Sequence, residues 1–131
     1  MPQYKQNILV IDDTLLSAWM LVESLKQHYD VSCVSSKKKI IEKIKKCFGS
    51  DEGIKPNLVV LDYHMYPGQN GDDLAEQIRK SDSEVPIAFY TSDDRELQKL
   101  KQKFSKDTHM AFFLKGDILN IINYADQILQ H

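Results

Sequence analysis

The segment Asn7–Asp13 reads NILVIDD, and it decides how the chain folds. Its apolar core ILVI is continuous rather than alternating, which is typical of a strand buried on both faces of a parallel sheet. The segment Asn57–Asp62 repeats this pattern as NLVVLD, again with an aspartate directly after the apolar run. Because the carboxyl ends of parallel strands meet at one edge of a sheet, we expect Asp12, Asp13 and Asp62 to lie together there.

Short apolar runs and helical patterns alternate along the rest of the chain. The predicted strands are Asn7–Ile11, Tyr29–Ser35, Leu58–Leu61, Ile87–Tyr90 and Ala111–Leu114, and the second, less apolar one is expected near a sheet edge. The predicted helices are Thr14–His28, Lys37–Phe48, Asp72–Lys80, Asp94–Phe104 and Asp117–Leu129. This order predicts a single doubly wound α/β domain over residues 1–131, with a five-stranded parallel sheet and a flavodoxin-like arrangement.

Side-chain spacing gives further expectations for the helices. On the first helix, the residues expected on the inward side are Leu15, Trp19, Val22 and Leu25. The expected helix caps are Asp72, Asp93 and Asp117, because aspartate accepts hydrogen bonds from the free amides at a helix start.

Composition excludes several functional classes. The 131 residues suit one domain, and a net charge of −2 gives no global argument for nucleic-acid binding. The lysines at 37–39 and 45–46 are interpreted as a solvated helix face. No apolar run approaches the roughly 20 residues of a membrane span. With no signal-peptide pattern and two cysteines without ligand spacing, Cys33 and Cys47, we expect free thiols and a cytoplasmic location.

Five polar residues follow predicted strands and would converge on one edge: Asp12, Asp13, Asp62, Thr91 and Lys115. Carboxylates are hard oxygen ligands that suit Mg²⁺ or Mn²⁺ rather than zinc. An aspartate can also act as a nucleophile toward phosphorus, while a lysine and a hydroxyl stabilise the transferring group. Each residue taken alone could be only a helix cap, a turn residue or a solvated lysine. Together they favour a phosphate-handling site.

These residues give the chain a resemblance to the response-regulator receiver domains of two-component signalling. The similarity covers essentially the whole chain and is carried by five motifs: ILVIDD, NLVVLDY, the proline- and glycine-containing loop after it, PIAFYTS and FFLKG. The resemblance implies that Asp62 accepts the phosphoryl group. It also implies that Asp12, Asp13 and Asp62, with the backbone carbonyl of His64, hold the metal ion.

The resemblance also assigns roles to five side chains and to partners. Thr91 and Lys115 would contact the phosphoryl group, and Thr91 with Phe112 would form the switch. His64 and Asp93 would tune the lifetime of the acyl phosphate. A histidine kinase or phosphotransfer protein would be the donor, and the face of the fourth helix, fifth strand and fifth helix would bind a downstream protein or a second copy. Neither membrane nor direct nucleic-acid binding is expected of this domain.

Two departures from the family pattern keep an alternative open. The loop from Asp62 to Gly71 has one residue more before its proline than the usual pattern, and Gly116 follows Lys115 where the family has proline. A receiver-like interaction module that has lost phosphorylation is therefore the second hypothesis. A phosphatase of the haloacid-dehalogenase type is disfavoured, because no aspartate stands two residues after Asp62. A flavin site is disfavoured because DDTLLSAW lacks a phosphate-binding loop. The chain is expected to be a signalling module rather than an enzyme, either free-standing or part of a larger regulator.

Overall fold

A computed structural model describes residues 5–48, 55–64 and 70–130, apart from the side chains of Leu15, Ser17 and Lys37. The strands are β1 (Asn7–Ile11), β2 (Asp30–Val34), β3 (Leu58–Asp62), β4 (Ile87–Thr91) and β5 (Met110–Leu114). The helices are α1 (Leu15–Lys26), α2 (Lys37–Phe48), α3 (Gly71–Ser81), α4 (Asp94–Lys103) and α5 (Ile118–Leu129). The predicted loop Gly49–Pro56 lies mostly outside the described residues.

All strand pairs are parallel, and the strand order is β2-β1-β3-β4-β5. The predicted doubly wound α/β fold is confirmed, and the less apolar second strand does lie at an edge. Strand order reverses beside β1, so β1 and β3 occupy the centre of the sheet. In such sheets the crevice at the carboxyl ends of the central strands is the usual ligand position.

Two hydrophobic layers cover the sheet. Side chains of α2, α3 and α4 pack on one face, around Phe89, whereas α1 and α5 pack on the other, around Val60 and Ala88. The strands β1, β3 and β4 are buried almost completely, which explains why they lack polar alternation. Both cysteines are free, with Cys47 buried and Cys33 partly buried, as expected.

The inward face of α1 matches the prediction at Val22 and Leu25 and differs at Trp19, while the Leu15 side chain lies outside the described residues. Trp19 is 60% exposed, and the buried positions are Ala18, Leu21, Val22 and Leu25. These four positions follow the i, i+3, i+4, i+7 spacing of a helix face, and Trp19 lies on the neighbouring face. The small Ala18 therefore occupies the position against the sheet.

One predicted cap is also wrong. Helix α3 begins at Gly71 with Asn70 as its N-cap, so Asp72 lies inside the first turn, where it accepts a hydrogen bond from Lys103 at 2.8 Å. Asp93 and Asp117 occupy the N-cap positions of α4 and α5, as predicted, but of the two only the Asp93 side chain accepts a capping hydrogen bond. None of the helices within the described residues is long and apolar enough to cross a bilayer.

The two faces of α1 give a stability test. Leu25→Ala should lower the free energy of unfolding by about 2–5 kcal/mol, because it leaves a cavity in the core. Trp19→Ala should lower it by less than about 1 kcal/mol, because most of the indole is already in solvent. Urea unfolding followed by circular dichroism measures both values. Equal losses for the two variants would contradict the orientation of α1.

Candidate functional site

The three aspartates predicted to converge do so. Asp12 and Asp13 follow β1, and Asp62 ends the neighbouring strand β3. One carboxylate oxygen from each lies within 4.8 Å of the others. Asp12 and Asp62 are buried, while Asp13 is partly exposed and forms the mouth of the crevice.

Lys115 supplies the positive charge in this crevice. Its ammonium nitrogen lies 3.3 Å from Oδ2 of Asp62 and 3.6 Å from Oδ2 of Asp12. It follows the edge strand β5, so its side chain must cross β4 to reach Asp62, and it lies 5.2 Å from the centroid of the Tyr90 ring on the way. The Lys115 backbone amide donates to the Thr91 carbonyl at 2.9 Å, which fixes the start of that side chain.

Asp62 is the least satisfied group of the crevice. Neither of its buried oxygens accepts a well-aligned hydrogen bond from a described residue. Burial raises the pKa of Asp62 to about 8, with the negative charge of Asp12 adding to this effect and the ammonium of Lys115 opposing it. A bound cation would relieve both the burial penalty and the repulsion.

The donor set fits a hard divalent cation. It consists of carboxylate oxygens without described cysteine or histidine side chains in the cluster, which suits Mg²⁺ or Mn²⁺. The lack of an aligned hydrogen bond to either Asp62 oxygen, within the part of the chain that the structure describes, is a second indication that this site suits a cation.

Tyr90 belongs to the site although the sequence did not suggest it. Its buried hydroxyl donates a hydrogen bond to Oδ2 of Asp12, and Oδ1 of Asp12 accepts from the Thr14 amide at 2.9 Å. Burial, followed by the Asp12 charge, raises the pKa of Tyr90 far above its usual value, so the hydroxyl remains a donor. The strand register could have revealed it, because Tyr90 pairs with Asp62 across β3 and β4.

Thr91 faces the other side of β4. Its hydroxyl donates to Oε2 of Glu96 at 3.3 Å, and Oε1 of Glu96 lies 2.6 Å from Nε2 of His64. Glu96 is the second residue that the sequence analysis missed. The Asp93 side chain caps α4 by accepting a hydrogen bond from the Arg95 amide at 2.8 Å.

Phe112, the predicted switch aromatic, is half-buried on β5. Its ring stacks on Phe89, with centroids 5.8 Å apart and planes within 6° of parallel, and Phe89 stacks in turn on Phe104 at the end of α4. The ring therefore lies in the α4 layer, on the same face of the sheet as the Thr91 hydroxyl.

The backbone of Asp62 packs against the start of α3. A Cβ added at Gly71 would lie 2.2 Å from the Asp62 carbonyl oxygen, and the Gly71 amide donates to the Tyr63 carbonyl at 2.8 Å. Only glycine, which has no Cβ, permits the start of α3 to lie this close to the Asp62 backbone. The loop with the extra residue, 65–69, lies outside the described residues.

A family model described as "Response regulator receiver domain" matches residues 8–116, which is most of the chain. The chain belongs to the response-regulator receiver domain family. Receiver domains are signalling modules, and the predicted family and fold are both confirmed. Among curated protein sequences no significant match was found.

Solved receiver structures share the fold of this receiver at low sequence identity. A response regulator receiver protein from Sinorhizobium medicae is 21% identical, with a TM-score of 0.73 over 95% of this chain and 94% of the other. The chemotaxis protein CheY4 of Vibrio cholerae is 16% identical, with a TM-score of 0.74 over 95% and 99%. The BeF3-activated DrrB receiver domain is 19% identical, with a TM-score of 0.73 over 97% and 99%.

The contact at Gly71 predicts a difference between two glycines. Gly71→Ala should lower the free energy of unfolding by about 1–3 kcal/mol, because the methyl group collides with the Asp62 backbone. Gly116→Ala is the matched control, since its added Cβ would meet no atom within 4 Å, and it should change stability by less than about 0.5 kcal/mol. Urea unfolding measures both. A tolerated alanine at position 71 would contradict the close packing.

The raised pKa of Asp62 predicts a pH dependence without metal. Between the ordinary value of 3.8 and about 8, the folded protein retains a proton that the unfolded chain releases. Stability should therefore fall as pH rises through this window, by at most about 1.4 kcal/mol per pH unit from this group. Urea unfolding in EDTA should show a flatter dependence for Asp62→Asn than for the native chain. Equal slopes would contradict the shift.

Proposed function

We propose that this receiver accepts a phosphoryl group on Asp62 from a histidine kinase or phosphotransfer protein and then changes its binding to a partner. One observation carries the proposal. The Asp62 carboxylate is buried at the centre of the sheet edge, lacks aligned hydrogen bonds, and lies 3.3 Å from a lysine ammonium. Its Oδ1 accepts no hydrogen bond from a described residue and so remains available as a nucleophile.

In the proposed step, a carboxylate oxygen of Asp62 forms a bond to the phosphorus of a phosphohistidine. The bond from phosphorus to the donor nitrogen breaks, and the leaving imidazole keeps its electron pair. The product is an acyl phosphate on Asp62. Because the chain supplies its own nucleophile and is itself modified, the transfer is self-catalysed and the protein is a signalling module rather than an enzyme.

The charges around Asp62 give each neighbour a role. Asp12, Asp13, Asp62 and the backbone carbonyl of His64 would hold Mg²⁺ or Mn²⁺, which supplies positive charge to the phosphoryl oxygens. Lys115 pairs with the same oxygens from the other side. This set provides the positioning and countercharge that phosphoryl transfer requires.

The proposed switch uses the opposite side of β4. Thr91 moves toward the phosphoryl group, Phe112 turns inward, and the face of α4, β5 and α5 changes its binding to a downstream protein or a second copy. In this proposal residues 1–131 form one cytoplasmic receiver domain that contacts neither membrane nor nucleic acid directly.

The second hypothesis is a receiver-like interaction module without phosphorylation, and it predicts that Asp62 accepts no phosphoryl group. It is motivated by the extra residue in the loop after Asp62 and by Gly116, which stands where the family has proline after the lysine. The same experiment decides between the two.

Incubation with acetyl phosphate and Mg²⁺ should add the mass of one phosphoryl group to the native chain. Intact-mass spectrometry measures the gain, which EDTA should abolish. Asp62→Asn, which keeps the shape of the side chain and removes the nucleophile, should show no gain.

The control is Asp82→Asn, a carboxylate at the end of α3 remote from the crevice, which should be modified like the native chain. An unmodified native protein would support the second hypothesis. A gain that persists in Asp62→Asn would place the modification at another residue.

A further inference from the structure

Glu96 connects the acceptor edge of the sheet to the first turn of α4. One of its oxygens accepts from the Thr91 hydroxyl at 3.3 Å, and the other lies 2.6 Å from the imidazole of His64. The Glu96 side chain is only 17% exposed, so these contacts are partly shielded from water. A single carboxylate thus contacts two side chains that flank the proposed acceptor.

The Thr91 hydroxyl both donates and accepts a hydrogen bond in this arrangement. Its proton is donated to Glu96, and its oxygen accepts from the Asp93 amide at 3.3 Å. A threonine hydroxyl has one proton to donate. It cannot be donated to Glu96 and to a phosphoryl oxygen on Asp62 at the same time. The two acceptors therefore compete for one donor.

Charge adds to this competition. A phosphoryl group adds about one and a half to two negative charges. The Glu96 carboxylate, toward which the Thr91 hydroxyl is now turned, is also negative. For Thr91 to turn toward the phosphoryl group, its contact with Glu96 must break.

We propose that Glu96 is a positioning residue that holds Thr91 in its unphosphorylated position and ties the first turn of α4 to it. This inference rests on the proposed function, because Thr91 matters only if Asp62 is phosphorylated. Glu96 opposes the switched state, and its removal increases the share of molecules ready to bind a phosphoryl group or a mimic.

The first test measures the affinity for beryllofluoride in Mg²⁺ by fluorine NMR. Glu96→Ala should bind it roughly 3- to 10-fold more tightly than the native chain, the equivalent of one ordinary hydrogen bond removed from the competing state. Glu96→Gln should have a smaller effect, because its amide oxygen still accepts a hydrogen bond but carries no charge. Asp94→Ala is the matched control, since it removes an exposed acidic residue from the same first turn, and it should bind like the native chain.

The second test needs no phosphoryl mimic. Three-bond couplings to the Thr91 methyl carbon report its χ1 rotamer in the free protein. The native chain and Asp94→Ala should keep one rotamer, whereas Glu96→Ala should show averaging. An unchanged rotamer in Glu96→Ala, or an unchanged beryllofluoride affinity, would overturn the inference.

The two proposals fail differently. If the native chain binds no beryllofluoride and gains no mass from acetyl phosphate, the proposed function fails. The rotamer measurement then still decides whether Glu96 holds Thr91.

Discussion

The ion pairing of Lys115 with the buried carboxylates of Asp12 and Asp62 is the interaction on which the site depends. Two carboxylates without exposure to water repel each other and are poorly solvated, so a nearby positive charge lowers the cost of ionising them. The ammonium comes from the edge strand and crosses β4 to reach them. The order of the strands is therefore as important to the site as the identity of its residues.

That single cation only partly offsets the burial of Asp62. Its pKa remains raised to about 8 even beside Lys115, because burial and the Asp12 charge outweigh the ammonium. The crevice consequently favours a second cation. Tyr90 contributes in a different way, since it satisfies one oxygen of Asp12 without adding charge. Asp12 is thus held in position, whereas Asp62 has the ion pair with Lys115 but no aligned hydrogen bond from a described residue.

Most of the fold and the charged part of the site could be predicted from the sequence. Continuous apolar runs are a strong signal because these strands are buried on both faces, and residues placed directly after them had to meet at one edge. Trp19 was misplaced because hydrophobicity alone does not choose between two helix faces one residue apart. Glu96 contacts Thr91 only through the placement of α4 against the sheet, which no local pattern encodes.

Tyr90 shows a further limit of sequence reasoning. In a continuous apolar strand, its ring is indistinguishable from other core residues, and its hydroxyl matters only because the register pairs it with Asp62. The switch roles of Thr91 and Phe112 and the role of His64 came from family resemblance rather than from the residues themselves. The structure adds the contacts of these residues. The Glu96 carboxylate contacts both Thr91 and His64, and the Phe89 ring stacks on Phe112.

Neighbouring residues of β4 face opposite helical layers. The Tyr90 hydroxyl bonds to the carboxylate beside α1, and the Thr91 hydroxyl bonds to one on α4. A twist of this last part of the strand about its own axis would displace both hydroxyls together, in opposite senses. The two carboxylates, on opposite sides of the sheet, are thereby connected through a single peptide unit.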